Sequence, residues 1–135
     1  MKLAVIFPGI GYHTDKPLLY YAKKLAKAYG YEIREVPYGN FPKNVKGSEE
    51  KMKESFFSAL AQSFEFIEQD GIVFCGTDDP WVKIDVIKKA CEERKLPLHI
   101  TEGADHSLET GKVGKDLENL GSIMEQSEEY IRNLV

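Results

Sequence analysis

Apolar and polar residues fall into blocks whose period switches along the chain. Lys2-Leu3-Ala4-Val5-Ile6-Phe7 is a continuous apolar run that stops at Pro8-Gly9, the pattern of a strand buried on both faces. From Pro17 the spacing becomes helical. Leu18, Ala22, Leu25 and Tyr29 share one stripe, and Gly30 is its stop. Tyr31 to Val36 reads as a second strand, closed by Pro37-Tyr38-Gly39-Asn40. Ser48 is placed to cap a second helix that runs to Gln69. Glu49 and Glu50 lie in its first turn, and Met52, Phe56, Leu60, Phe64 and Ile67 lie on one face. Ile72 to Cys75 is the third strand. Val82, Val86, Ala90 and Cys91 form the next stripe, and Leu96 to Thr101 is the fourth strand. A last helix is expected to turn Val113, Leu117, Leu120, Met124, Ile131 and Leu134 inward.

Four successive βα units predict the α/β class, with a four-stranded parallel sheet between two helical layers. At 135 residues, with no internal repeat and no linker, residues 1–135 are expected to form one domain. The mass of 15.3 kDa implies a folded surface of about 7,000 Å², roughly a third of the unfolded one. That is core enough without metal or disulfide. Eighteen Lys and Arg against 22 Asp and Glu give a net charge of −4 with no basic block, which argues against a nucleic-acid or anionic-membrane partner. No run reaches membrane-span length, and Met1-Lys2 leads into a strand and not a signal peptide. Cys75 and Cys91 form no disulfide framework. A cytoplasmic protein is the expectation.

In an open parallel sheet, ligand and catalytic groups sit at the carboxyl ends of strands. Three loops occupy that edge: Pro8 to Lys16, Gly76 to Trp81, and Glu102 to Thr110. They carry Gly9, Gly11, Tyr12, His13, Asp79 and His106, a set suited to acyl transfer. Here the chain resembles the α/β-hydrolase family, its small bacterial members in particular. Phe7-Pro8-Gly9-Ile10-Gly11-Tyr12 is similar to the turn that supplies an oxyanion-hole amide, which makes Gly9, Ile10, Gly11 and Tyr12 the candidate donors. Gly76-Thr77-Asp78-Asp79-Pro80-Trp81-Val82 resembles the acid motif. Thr101-Glu102-Gly103-Ala104-Asp105-His106-Ser107-Leu108 resembles the catalytic-histidine loop. The resemblance implies Asp79 as triad acid and His106 as base, in the family's order and 27 residues apart.

The nucleophile departs from that pattern. The family's serine sits in a G-x-S-x-G elbow between strand and helix, and this chain has none. Its seven serines, at 48, 55, 58, 63, 107, 122 and 127, lie on predicted helices, at a cap, or beside His106. The resemblance implies a missing strand, elbow, helix and strand near Gln62-Ser63, at least about 30 residues. With that segment gone, the right-handed crossover rule predicts sheet order 2-1-3-4, a flavodoxin-like arrangement. The first and last helices would cover one face and the other two helices the opposite face. The implied function is a hydrolase-like domain with acid and histidine but no serine, inactive as an esterase.

Plainer readings compete at each position. Asp79 before Pro80 is a good helix N-cap. His106 can be a solvated loop residue, and Gly9 and Gly11 can serve only a tight turn. Both cysteines suit core positions. His13, His99 and His106 lack metal-ligand spacing, so no metal or cofactor is expected. Gly9-Ile10-Gly11-Tyr12-His13-Thr14 is a near miss to G-x-G-x-x-G, and Asp15 would face the phosphate. That leaves a small-molecule or nucleotide module as one alternative. A self-associating, non-catalytic homodimer is another, because a sheet that has lost its centre has exposed edges.

Overall fold

The computed structural model describes residues 2–9, 12–36, 45, 47–63, 71–80 and 82–134. Strands and helices alternate as β1 (Leu3–Ile6), α1 (Pro17–Ala28), β2 (Glu32–Glu35), α2 (Glu49–Ser63), β3 (Val73–Gly76), α3 (Ile84–Arg94), β4 (Leu98–Thr101) and α4 (Val113–Asn133). The predicted turn at 37–40, residues Phe64 to Gln69 of the second predicted helix, and the side chains of Phe56 and Leu60 lie outside the described residues.

The βα alternation is present, but the single sheet is not. β1 pairs in parallel with β2, from Leu3 opposite Glu32 to Ile6 opposite Glu35. β3 pairs with β4, from Val73 opposite Leu98 to Gly76 opposite Thr101. The two pairs are separate sheets, so the order 2-1-3-4 and the three-layer sandwich around one sheet are corrected. Each pair is complete as a βαβ unit: α1 packs on β1 and β2, and α3 packs on β3. α4 packs on α1, where the Tyr29 hydroxyl donates to Glu128 Oε1 at 2.6 Å.

That division changes which residues are buried. A strand with one neighbour and one covering helix is not covered on both faces, and Leu3 and Phe7 are 36% and 39% exposed. On α3 the inward positions are Ile84, Ile87 and Cys91, while Val86 and Ala90 point out. On α4 the buried residues are Asn119 and Ile123. Val113 and Leu117 are 76% and 64% exposed, and with the histidine loop and the start of α1 they line a cleft. The cap of α2 stands as read: Lys51 N donates to Ser48 Oγ. Asp79 is not a helix cap. α3 starts at Ile84 with Lys83 as N-cap, so Asp79-Pro80 belongs to the loop before it. Cys75 and Cys91 are free thiols, both buried.

Candidate functional site

The β3–β4 pair brings its two carboxyl-end loops together. β3 ends at Gly76, which lies so close to the next loop that an added Cβ would sit 2.1 Å from the Ala104 carbonyl oxygen. Past Gly76 the acid loop is stitched to the histidine loop by backbone and hydroxyl. Thr77 N donates to Thr101 O at 3.1 Å and Asp78 N to Ala104 O at 2.9 Å. Gly103 N donates to Thr77 Oγ1 at 2.8 Å, and that hydroxyl donates to Asp78 Oδ1 at 3.1 Å. Ala104 is fully buried. Thr77→Val keeps the side-chain shape but leaves the Gly103 amide without its acceptor. A loss of about 1 kcal/mol in a denaturant melt is the expected result.

The histidine loop is held from within. Asp105 Oδ1 accepts from Ser107 N at 2.8 Å and Glu109 N at 3.2 Å, an Asx-type turn. Asp105 N donates to Glu109 O at 2.9 Å, and Leu108 N to Asp105 O at 3.0 Å. Leu108 adopts φ 61°, an uncommon backbone for a bulky residue. Asp116, in the first turns of α4, closes the loop by accepting from Thr110 N at 2.6 Å and Thr110 Oγ1 at 2.7 Å.

Those bonds, the Thr110 hydroxyl first, hold the Asp116 carboxyl below its ordinary 3.8. A lowered folded value means that the clamp stabilises above the ordinary aspartate range and is lost as pH falls through the lowered value. Acid titration of amide exchange in residues 105–112 should show that loosening, and Asp116→Asn should remove its pH dependence.

Asp79 and His106 meet on this scaffold. His106 Nδ1 lies 2.8 Å from Asp79 Oδ2, with the carboxylate side chain 8% exposed and the imidazole 50% exposed. An acceptor-only carboxylate on Nδ1 selects the tautomer with its proton there, leaving Nε2 as the basic nitrogen of the neutral ring. Further along the histidine loop, Ser107, Leu108 and Glu109 line a cavity of about 260 Å³ together with Tyr12, Leu18, Leu117 and Leu120; neither Asp79 nor His106 lines it. The exposed apolar residues at the start of α4 face this cleft.

The proposed oxyanion loop is placed differently. Gly9 N donates to Tyr12 O and Tyr12 N to Gly9 O, both at 3.0 Å. Both amides are therefore spent on a tight turn; Ile10 and Gly11 lie outside the described residues. The Tyr12 hydroxyl accepts from Leu18 N at 3.4 Å, capping α1 where Lys16 offers no side-chain cap. Burial pushes the Tyr12 phenol above its ordinary value. The nucleotide alternative loses ground here, since one of the α1 N-terminal amides is capped by Tyr12 and Pro17 has no N–H. Asp15 pairs with Lys23 at 3.6 Å.

Cys75, the thiol nearest the acid by sequence, is buried. Burial, then the charge of Asp79, pushes it upward, away from the reactive thiolate. Among the described residues, no group of three or more His, Cys, Asp and Glu could hold a metal ion. No helix among them is long and apolar enough to cross a membrane. Compared with known protein families, curated proteins and solved structures, the chain matches none of them.

The sequence reading had no signal for Thr77 or for the Thr110–Asp116 clamp, whose spacing fits no capping box. The Asp105 turn could have been found from the preference of Asp for accepting backbone amides two residues on.

Proposed function

We propose that this chain is a cytoplasmic, hydrolase-like α/β domain that carries the acid–histidine half of a triad and works as a small-molecule binding module, without ester turnover. The observation that supports it is the Asp79–His106 contact of 2.8 Å, with a nearly buried acid and a half-exposed ring; the residues that follow His106, Ser107 to Glu109, line an apolar cleft of ligand size. Two free, buried thiols suit a reducing compartment. Triad chemistry also needs a hydroxyl bonded to the histidine and amides aimed at the developing oxyanion. Ser107, the serine next to the base, has its own amide bound to Asp105, on the histidine loop and not in an elbow.

The test is a stopped-flow burst assay with activated short-chain esters, paired with a serine-directed fluorophosphonate probe. No burst and no adduct are expected. Without a nucleophile, what remains is at most the weak catalysis of a triad enzyme stripped of one member, about 10³–10⁴ over water. Stoichiometric labelling of one serine, lost in His106→Ala, would overturn the proposal and make the protein an enzyme.

A second reading, a homodimer, rests on exposed surface. Among the described residues, the apolar Leu3, Phe7, Val86, Val113 and Leu117 are exposed. Among the described residues, each two-stranded sheet has outer edges with no further strand, the kind of edge that pairs with another chain. Size-exclusion chromatography with light scattering is expected to give twice the chain mass at micromolar protein. A monomer mass at that concentration would remove this reading.

A further inference from the structure

The cleft at the start of α4 is apolar within and acidic at its rim. Leu108 from the histidine loop, Val113, Leu117 and Leu120 from α4, and Leu18 from α1 supply the apolar walls. Val113 and Leu117 stay 76% and 64% exposed, so the described chain leaves them largely uncovered. Large apolar groups gathered round one concavity mark a binding surface, where single ones scattered over a surface do not.

The ionisable groups on the lining are all acids. They are Glu109, Asp116 and the phenol of Tyr12. Its bonds from Thr110, the hydroxyl first, hold the Asp116 carboxyl below its ordinary value, so it is an anion at neutral pH. Burial is the main reason that the Tyr12 phenol lies above its ordinary value, and the charge of Glu109 adds to it. The Glu109 carboxylate is therefore close to the phenol, at the same end of the cleft. Among the described residues no lysine, arginine or histidine forms an ion pair with Glu109. Lys16 and Lys112, which precede α1 and α4, do not line the cleft, and Lys115 is 3.6 Å from Glu118.

The surrounding edge has the same sign. Residues 76–80 and 101–111, at the carboxyl ends of β3 and β4, hold Asp78, Asp79, Glu102, Asp105 and Glu109 and neither lysine nor arginine. A concavity with one sign of charge and low-dielectric walls concentrates the opposite ion and repels its own. The face of an aromatic ring such as Tyr12 attracts a cation as well. An occupant that suits both the walls and the rim has an apolar body and a positive end. At about 30 Å³ per water, the cavity of about 260 Å³ corresponds to roughly nine waters, room for one ring with a short arm.

Taking the domain as a small-molecule binding module, we propose that this cleft selects hydrophobic organic cations of that size, amines with an aryl or alkyl body. The body lies against Leu108, Leu117 and Leu120, and the ammonium lies by Glu109 and the Tyr12 ring.

The test is an NMR titration of the full chain at low salt, following the methyl signals of Val113, Leu117 and Leu120. The probes are phenethylamine, 2-phenylethanol and phenylacetate: a cation, a neutral molecule and an anion, each with one ring. Saturable shifts are expected with the amine, at about tenfold higher affinity than with the alcohol, and none with the acid. Added salt should weaken the amine alone. Glu109→Gln should lower the amine affinity about fivefold and leave the alcohol unchanged. Glu109 is exposed and holds its loop through the main chain, so this variant keeps the fold. Leu117→Asn should weaken amine and alcohol alike. Equal affinity for amine and alcohol would overturn the cation selectivity and leave an apolar binding module. No saturable shift with any of the three would overturn the selectivity and the module together. Shifts at Val113 and Leu117 that follow protein concentration and not the amine would give the cleft to a second copy of the chain, and would overturn the proposal too.

Discussion

Gly76→Ala is expected to destabilise the protein by about 3 kcal/mol or more and to release the histidine loop. The added methyl would fall 2.1 Å from Ala104 O, 2.6 Å from Ala104 C and 2.6 Å from Asp105 O. All three are backbone atoms, so no side-chain rotation relieves the overlap. Overpacking of a fitted site costs about 1–3 kcal/mol and sometimes more. Here the only relief is to move the 101–105 segment off β3, breaking the Thr77–Thr101 and Asp78–Ala104 bonds. For a chain of this length each kcal/mol lowers the melting temperature by about 4 °C, so a thermal melt should drop by roughly 12 °C. Gly121→Ala is the contrast. Nothing lies within 4 Å of its added Cβ, it sits inside α4, and alanine there should stabilise by about 0.5–1 kcal/mol. If both variants lost stability equally, the close approach at Gly76 would not be what holds the two loops.

What the sequence made legible follows from the range of each interaction. The element order and the Ser48 cap depend on residues within a few positions of one another, and periodicity reports those well. The meeting of Asp79 and His106 was also legible, since β3 and β4 are consecutive strands of one βαβ unit and their following loops share an edge. The sheet order was not. It depended on whether β1 and β3 would pair across some seventy residues of chain, and no local pattern reports such a pairing. The apolar stripe of α4 misled for a related reason. Val113 and Leu117 have core periodicity but line the cleft, whereas Asn119, a polar residue that hydrophobic patterning passes over, is buried. The mutual hydrogen bonds of Gly9 and Tyr12 were not legible either. Glycine spacing indicates a turn, not which acceptors its amides will find.

Asp79→Asn is expected to invert the tautomer of His106 without moving the ring. In the native protein the carboxylate at 2.8 Å from Nδ1 can only accept, so the neutral ring must carry its proton on Nδ1. A hydrogen bond to a charged acceptor is worth about 1.5–3 kcal/mol, and each 1.4 kcal/mol is a factor of ten in a population. The Nδ1–H form should therefore exceed nine tenths at alkaline pH, where imidazole is neutral. Asparagine in the same place can turn its amide nitrogen toward the ring and donate to Nδ1. The proton is then driven to Nε2, and the majority form reverses. Nitrogen-15 shifts of His106 in selectively labelled protein distinguish the two forms directly. The stability cost should stay near the value of the lost charged bond, because the neutral amide at this nearly buried position is cheaper to desolvate than a carboxylate. A His106 spectrum unchanged by the substitution would show that Asp79 does not set the ring's proton. The pair would then be a contact between loops, and the reading of an acid–histidine half-site would fall with it.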